Sequence, residues 1–147
     1  MNTNKVLVLG DGLLSSELIR QSPQWDYISR KKDGIDFTQL ISYYPYLTNY
    51  DVIVNCIADT DTYSKNRENH WSVNYEGVVN LTDACVYLGK KLCQISTDYL
   101  YGNARYSASE TSVPVHCENW YSYTKLLGDA YVQLKMNNFL VIRTSFK

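Results

Sequence analysis

The stretch Lys5–Ile19, K-V-L-V-L-G-D-G-L-L-S-S-E-L-I, decides the fold. Residues 5–9 form a nearly continuous apolar run, which is typical of a parallel strand covered on both faces. Gly10 and Gly12 follow, and residues 13–19 predict a helix. The first glycine permits a tight turn, the second lets the backbone approach a pyrophosphate, and the free N–H groups at the helix start favour an anion. The stretch therefore predicts a dinucleotide-binding turn.

The glycines of this turn follow the pattern G-x-G-x-x-S, with Ser15 at the place of the third glycine of the dinucleotide-binding pattern G-x-G-x-x-G. Serine is small, so close packing of the helix on the strand remains compatible with it. A G-x-G alone often marks only a turn, but this one follows a strand, opens a helix and begins a repeating strand–helix pattern. The pattern G-x-x-x-x-G-K-[ST] is absent from the sequence, which disfavours a P-loop nucleotide hydrolase.

Apolar runs and helical patterns alternate along the rest of the chain. Strands are predicted at residues 5–9, 25–29, 51–58, 91–96 and from 139, and helices at residues 13–22, 38–45, 71–88 and 120–136. This alternation is typical of an α/β fold with a doubly wound parallel sheet of the Rossmann type. The length of 147 residues suits one domain, residues 1–147.

Composition narrows the class of protein. The net charge of −1 gives no electrostatic case for nucleic acid or for an anionic membrane surface. No apolar run approaches the roughly 20 residues of a membrane span, and residues 6–9 are too few for a signal-peptide core. The four cysteines form no C-x-x-C pair, and His70 and His116 have no metal-ligand spacing. We therefore expect a cytoplasmic protein that binds no metal, nucleic acid or membrane.

The residues after the second predicted strand bear on the choice of cofactor. Dinucleotide sites place an acidic residue for NAD, or an arginine for the 2′-phosphate of NADP, about 20 positions beyond the first glycine. Arg30 stands 20 positions beyond Gly10 and is followed by Lys31 and Lys32. We interpret this as a preference for NADP, with NAD as the alternative. The competing interpretation is that the three basic residues are simply solvated.

A second set of residues predicts carbonyl reduction. A predicted strand ends at Ser96-Thr97-Asp98, and a helix opens with residues 121–125, Y-S-Y-T-K, after a loop whose turns are favoured by Gly102, Asn103 and Pro114. Reducing a carbonyl group needs a proton donor at the oxygen while hydride arrives at the carbon. Tyr121 can donate that proton and Thr97 can hold the oxygen by a hydrogen bond. Lys125 shares a helix face with Tyr121 and is expected to lower the pKa of its phenol.

Spacing alone does not select this pair. The sequence contains 14 tyrosines and four matches to Tyr-x-x-x-Lys: Tyr27/Lys31, Tyr87/Lys91, Tyr121/Lys125 and Tyr131/Lys135. The first match straddles a strand end, the second lies where a helix ends at Gly89, and the last lies late in its helix. Only the third follows both a strand end and the loop, and this position favours it as the catalytic pair.

The strand predicted over residues 51–58 contributes further candidates. Asp59, Thr60 and Asp61 follow it directly, at the edge where open α/β sheets bind ligands. Thr60 is a candidate contact to the nicotinamide or to the substrate. Asn74 on the next helix is expected to face the site, although a surface position fits its pattern equally well.

Five motifs in order carry a family resemblance. They are V-N-C-I-A at 54–58, V-N-Y-E-G at 73–77, S-T-D-Y-L-Y-G at 96–102, Y-S-Y-T-K-L-L-G-D at 121–129 and I-R-T-S-F at 142–146. With them the chain resembles the extended short-chain dehydrogenase/reductase family, and within it most closely the dTDP-4-dehydrorhamnose reductases. The resemblance covers essentially the whole chain. It implies NAD(P)H-dependent reduction of a nucleotide-linked 4-keto-6-deoxysugar.

The resemblance also implies roles for individual residues. The catalytic set is Thr97, Tyr121 and Lys125, with Tyr121 as the proton donor and Lys125 on the nicotinamide ribose. The cofactor-binding set is Gly10, Gly12, Leu13 and Leu14 along the pyrophosphate, Asp36 and Phe37 near the adenine, and Ala58 and Thr60 on the path to the nicotinamide. Arg30, predicted from its spacing and not from the resemblance, completes the set at the ribose phosphate. The substrate set is Thr60, Thr97 and Asp98.

Members of the family are much longer than this chain. We therefore expect residues 1–147 to form a cofactor-binding domain that is truncated before the last strands and the substrate lobe. The expected partners are a nucleotide-sugar substrate and either a second copy of the chain or a separate C-terminal half. Two other functions stay open: a non-catalytic regulatory or scaffold subunit that retains the nucleotide site, and a nucleotide-sugar epimerase or dehydratase. Asp98 without a second acid favours the reductase over the dehydratase.

Overall fold

The structure, a computed structural model, describes residues 3–102, 107–112 and 117–145. Within these ranges five strands form one parallel sheet in the order β2-β1-β3-β4-β5. They are β1 Val6–Leu9, β2 Asp26–Ile28, β3 Val52–Asn55, β4 Lys91–Thr97 and β5 Phe139–Thr144. This arrangement confirms the predicted α/β fold with a doubly wound parallel sheet. Four residues named above lie outside the described residues: Asn103, Pro114, His116 and Phe146.

Helices connect the strands and cover the sheet. They are α1 Leu13–Gln21, α2 Arg30–Asp33, α3 Tyr44–Leu47, α4 Arg67–His70, a π-helical segment Trp71–Glu76, α5 Gly77–Leu88 and α6 Trp120–Lys135. Two 3₁₀ turns, Leu40–Ser42 and Asp98–Tyr101, complete the elements. Gly89 ends α5 in the left-handed conformation, with φ of 66°, as the sequence predicts. None of the helices in the described ranges is both long and apolar enough to cross a bilayer.

Two predicted helices differ from the structure. The single helix predicted over residues 38–45 is wrong, because the 3₁₀ turn Leu40–Ser42 and the separate helix α3 occupy this region. Pro45 lies in the first turn of α3, where its missing N–H group costs no helical hydrogen bond. The helix predicted from Trp71 begins earlier, because the Asn66 side chain accepts a hydrogen bond from the Asn69 N–H and caps α4.

The two faces of the sheet are buried by different helices. On one face, Leu7, Leu9, Ile53 and Leu92 pack with residues of α5 and α6. On the other face, Val8, Val54 and Cys93 pack with Leu18 and Ile19 of α1. Neighbouring residues of β1 thus point to opposite hydrophobic clusters, which explains the continuous apolar run in the sequence. Strands β1, β3 and β4 run in one direction, so their carboxyl ends meet at one edge of the sheet.

Helix α6 packs very closely on the π-helical segment at Gly128. A Cβ atom at this position would lie 2.8 Å from the carbonyl oxygen of Asn74 and 3.4 Å from a methyl group of Val78. The first distance is shorter than a van der Waals contact with a backbone atom permits. Only glycine therefore allows this approach of the two helices.

We expect Gly128→Ala to destabilise the protein by about 1–3 kcal/mol, because the added methyl group overpacks the contact with Asn74. Helix propensity alone predicts the opposite sign, a gain of about 1 kcal/mol. Urea unfolding followed by circular dichroism measures the difference. Gln133→Ala, at an exposed position of α6, is the control and should leave stability almost unchanged. An equally stable Gly128→Ala protein would contradict the close packing.

Candidate functional site

A cleft of about 520 Å³ lies at the carboxyl edge of the sheet. Its lining comes from the start of α1, the segment after β3, the end of β4, the first turns of α6 and the end of β5. The lining residues are Gly12, Leu13, Leu14, Ser15, Cys56, Ala58, Thr60, Thr62, Ile95, Ser96, Thr97, Asp98, Tyr99, Tyr121, Lys125 and Thr144. The cleft thus brings together nine of the predicted site residues from four separate segments.

Larger concave regions lie elsewhere but contain little of this chemistry. An open groove of about 910 Å³ follows Thr38, Gln39 and the outer face of α4 and the π-helical segment. It contains none of the residues predicted for catalysis. The smaller cleft is the candidate site because chemistry, and not size, distinguishes it.

The glycine turn is shaped for an anion. Gly10 has a φ of 108°, a conformation that favours glycine, and its N–H donates to the Ile28 carbonyl at 2.9 Å. A Cβ atom at Gly12 would meet nothing within 4 Å in the described parts of the chain, so the backbone is open on the cleft side. Among those same residues, no side chain caps the N-terminus of α1 at Gly12. The N–H groups of the first turn are therefore free to bind phosphate.

Ser15 fits the place of the third glycine. Its side chain is buried, and its hydroxyl donates back to the Gly12 carbonyl at 3.1 Å. The hydroxyl is satisfied within the turn of α1 and does not block the open N–H groups. Serine is therefore compatible with the function of the turn.

The residues predicted at the adenosine end lie outside the cleft lining. Arg30 is exposed at the start of α2, directly after β2, which is the neighbour of β1. Asp36 accepts hydrogen bonds from the hydroxyl and the N–H of Thr38, and these bonds lower the pKa of its carboxyl group. Phe37 packs against the core, with its ring centroid 5.4 Å from that of Tyr43. Arg30 is thus available to a ligand, whereas Asp36 and Phe37 are already engaged.

The two basic neighbours of Arg30 differ from one another. Lys32 Nζ donates to the Tyr27 carbonyl at 2.9 Å and lies 4.0 Å from the centre of the Tyr27 ring. Lys32 therefore turns back onto its own strand. Lys31 is exposed, like Arg30.

The Thr97 hydroxyl and the Tyr121 phenol meet in the cleft. Both residues are largely buried, with 4% and 8% of their surface exposed. Thr97 Oγ1 accepts a hydrogen bond from the Tyr99 N–H at 3.2 Å, which fixes the hydroxyl at the end of β4. The Tyr99 ring meets the Tyr121 ring edge to face at 5.9 Å. Strand end and helix start therefore converge as the sequence predicts.

The predicted lowering of the Tyr121 pKa is wrong for this structure. Burial raises the pKa of the phenol, and the Asp98 carboxylate adds to the rise, while a hydrogen bond with Thr97 opposes it. The Lys125 ammonium donates instead to the Ile95 carbonyl at 2.6 Å. The charge of Lys125 is thus directed to the backbone of β4, and the phenol keeps its proton at neutral pH.

Lys125 is itself strongly affected by its surroundings. Only 3% of its surface is exposed. Burial lowers the pKa of its ammonium group to about 8, and the charge of Asp129 opposes the change. A lysine of this kind exchanges its proton near neutral pH, which is typical of functional sites.

Asp129 and Arg143 support the site and were assigned no role from the sequence. The fully buried Asp129 carboxylate accepts from the Ser96 hydroxyl at 2.5 Å and from Arg143 Nε at 3.4 Å. Burial raises the pKa of Asp129, and the Ser96 hydrogen bond opposes the rise. Both residues occur in the sequence motifs. Their contact joins α6 to β5, and no spacing in the sequence could have predicted a contact between two separate elements.

Asn74 is buried and faces the segment after β3, so the surface interpretation is wrong. Its Oδ1 accepts from the Asp59 N–H at 2.8 Å, and its Nδ2 donates to the Asp59 carbonyl at 2.9 Å. Nδ2 also lies 3.3 Å from Thr124 Oγ1, on the residue before Lys125. Asn74 therefore joins the cleft wall at Asp59 to α6.

Comparison with known proteins places this geometry in context. The family described as "RmlD substrate binding domain" matches residues 4–146. The dTDP-4-dehydrorhamnose reductase of Mycolicibacterium smegmatis is 34% identical, over 69% of this chain and 32% of that enzyme. These matches confirm the resemblance to dTDP-4-dehydrorhamnose reductases.

Solved structures of dTDP-4-dehydrorhamnose reductases have the same fold as this chain. A dTDP-4-dehydrorhamnose reductase from Clostridium acetobutylicum superimposes with a TM-score of 0.84 at 25% identity, covering 96% of this chain and 53% of that chain. The Bacillus anthracis dTDP-4-dehydrorhamnose reductase, crystallised in complex with NADP, superimposes with a TM-score of 0.84 at 24% identity, over 97% and 54% of the two chains. The chain spans about half the length of the relatives that it matches over nearly all of its own length.

We expect the stability of the protein to depend on the charge of Lys125. Above about pH 8 the folded state releases this proton, whereas the unfolded state holds it up to the ordinary lysine pKa of 10.5. The free energy of unfolding of the wild type relative to Lys125→Met should therefore rise between pH 8 and 10.5, by about 1.4 kcal/mol per unit of pKa difference. Urea unfolding of both proteins from pH 7 to 10 measures it. The methionine variant is its own control for the other titrating groups, and a pH-independent difference would refute the buried charge.

Proposed function

We propose, because the chain belongs to the RmlD substrate binding domain family, that it carries the cofactor site and proton donor of an NADP-dependent reductase. The proposed substrate is a nucleotide-linked 4-keto-6-deoxysugar, as the names of its reductase relatives suggest. NAD is the alternative cofactor. One observation carries the proposal: a single cleft contains the open turn at Gly12, the Thr97 hydroxyl, the Tyr121 phenol and the Lys125 ammonium.

The residues of the cleft, together with Arg30 at the start of α2, suit the parts of such a cofactor. In the proposal the open N–H groups after Gly12 bind the pyrophosphate, and Arg30 binds the 2′-phosphate. Lys125 turns from the Ile95 carbonyl to the ribose hydroxyls of the nicotinamide half. NADPH, when bound, supplies the hydride.

The chain supplies the proton. Because burial raises its pKa, the Tyr121 phenol is protonated at neutral pH and can donate to the carbonyl oxygen of the substrate. The Thr97 hydroxyl holds the same oxygen by a hydrogen bond. Asp98 extends from the end of β4 beside them and is the proposed third contact to the substrate. After the transfer, the Thr97 hydroxyl stabilises the phenolate until Tyr121 regains a proton.

A non-catalytic subunit that binds the nucleotide is the second candidate function. It is favoured by one observation, that the Lys125 ammonium donates to the Ile95 carbonyl in this structure and is not directed at the Tyr121 phenol. Under either function, the proposed partner is a second copy of the chain or a separate chain that supplies the remaining half. A cofactor-binding experiment tests the nucleotide site that both candidate functions require. A turnover experiment distinguishes the enzyme from the non-catalytic subunit.

We expect the chain to bind NADPH more tightly than NADH through Arg30. Arg30→Ala should weaken NADPH binding about tenfold, because a charged hydrogen bond to phosphate is lost, and should leave NADH binding unchanged. Titration of cofactor fluorescence with both nucleotides measures the effect. Lys31→Ala removes the same charge from the next exposed position and is the matched control. If both variants behave alike, the basic residues are merely solvated; if the wild type binds neither nucleotide, the proposed function is wrong.

We expect Tyr121→Phe to retain NADPH binding and to lose turnover at least about 100-fold, because only the proton donor is removed. NADPH oxidation with a nucleotide-linked 4-keto-6-deoxysugar measures turnover. Tyr123→Phe, on the same helix and 41% exposed, is the control and should keep full activity. Turnover by Tyr121→Phe at the wild-type rate would exclude Tyr121 as the donor. Binding without turnover in the wild type, alone and with a supplied C-terminal half, would favour the non-catalytic subunit.

A further inference from the structure

Asp59 is held in place through both its backbone and its side chain. Its N–H and its carbonyl are both bonded to the Asn74 amide, at 2.8 and 2.9 Å. Its Oδ1 accepts from the Asp61 N–H at 3.2 Å, which closes the turn that follows. Its Oδ2 contacts the Asn69 amide and lies 3.5 Å from His70 Nδ1. Asp59 therefore joins the segment after β3 to α4 and the π-helical segment.

His70 is unusual because it is completely buried next to this carboxylate. Its Nδ1 lies between Asp59 Oδ2, an acceptor, and Asn74 Nδ2, a donor 3.4 Å away. The Asn74 amide already donates to the Asp59 carbonyl and has Thr124 Oγ1 in reach. A proton on Nδ1 therefore gives the better pairing, with the imidazole donating to Asp59.

The other ring nitrogen supports this assignment. His70 Nε2 is buried and has no hydrogen-bond partner among the residues that the structure describes. A buried N–H without an acceptor costs more than a buried ring nitrogen that merely lacks a donor, because the N–H is the stronger polar group. The neutral imidazole with its proton on Nδ1 is thus the form that fits the site.

The segment that this pair holds is a wall of the cleft. Ala58 and Thr60 flank Asp59 and line the cleft together with Thr97, Tyr121 and Lys125. Displacing Asp59 by one ångström moves both neighbours, since they share its backbone. The Asp59 carboxylate and His70 themselves do not line the cleft, so they act only through the position of the wall.

We propose that Asp59 and His70 form a positioning pair that sets the cleft wall for the nicotinamide half of the cofactor. The proposal rests on the proposed function for the identity of the ligand, but the pair and the wall exist without it. The proposal gives His70 a role, although the sequence indicates only that it has no metal-ligand spacing with His116. The adenosine half, which is bound at the far end by the residues after β2, is outside its reach.

Two ligands, NADPH and 2′,5′-ADP, distinguish effects on the nicotinamide half of the cofactor from effects on the adenosine half. His70→Leu replaces the imidazole with a buried apolar side chain and removes the donor. It should weaken NADPH binding about tenfold while leaving 2′,5′-ADP binding within about twofold. His70→Asn places an amide donor near the position of Nδ1 and should restore most of the NADPH affinity. Asp59→Ala should weaken NADPH binding at least as much as His70→Leu, because it also removes the contacts with Asp61 and Asn69, and the double variant Asp59→Ala/His70→Leu should bind no more weakly than Asp59→Ala. Glu68→Gln, which removes an exposed carboxylate of α4 outside the cleft lining, is the control.

Hydrogen exchange of the free protein tests the pair without any ligand. The Asp59 and Asp61 amides should exchange about tenfold faster in His70→Leu than in the wild type, while the amides of β1 stay unchanged. His70→Asn should restore the protection, and it keeps the test valid if the leucine variant does not fold. Unchanged exchange at Asp59 and Asp61 in folded variants overturns the proposal. If His70→Leu shows the expected faster exchange but the wild type binds no NADPH, the result supports the pair and refutes the proposed function.

Discussion

The close approach of α6 to the π-helical segment at Gly128 is the constraint on which the site depends. It lets the Asn74 side chain reach Asp59 on one side and Thr124 on the other. Thr124 lies directly before Lys125, so the same contact fixes the first turns of α6 relative to the segment after β3. A larger residue at 128 would separate the two helices, and the cleft wall and α6 would lose their common support.

Burial then governs the chemistry of the two titrating groups. It raises the pKa of Tyr121 and lowers that of Lys125, so both groups shift towards their neutral forms. For the phenol this favours a proton donor. For the lysine it weakens the hold on the charge that a cofactor would use, and Asp129 on the next turn of α6 opposes this effect. An anionic ligand in the cleft would act in the same direction as Asp129, which couples the charge of Lys125 to cofactor binding.

The parts that the sequence predicted are those with local signals. Apolar runs, helix ends such as Gly89 and the turn at Gly10 depend on residues close in sequence, and the sheet follows from their alternation. The unpredicted parts depend on contacts between elements. Burial raises the pKa of Tyr121 against the expectation, while Lys125 donates to a carbonyl 30 residues away, and Asp129 meets Arg143 across a helix and a strand. The prediction of one helix up to Pro45 was wrong for another reason, because short helical turns contain too few residues to show a periodic pattern.

The residues of the cleft support the proposed enzyme more than a subunit that only binds a nucleotide. A binding subunit needs the open turn after Gly12 and the ribose contact proposed for Lys125, but it gains nothing from a protonated phenol beside a fixed hydroxyl. Burying Lys125 opposes folding at neutral pH, as its pKa of about 8 indicates, and an apolar side chain there would avoid this cost. A costly charged group beside a protonated phenol and a fixed hydroxyl is the pattern expected where chemistry, and not stability, determines the residues. The same reasoning extends to His70, because a buried imidazole whose Nε2 has no partner among the described residues also opposes folding, and such a residue is expected where it positions the wall at Asp59.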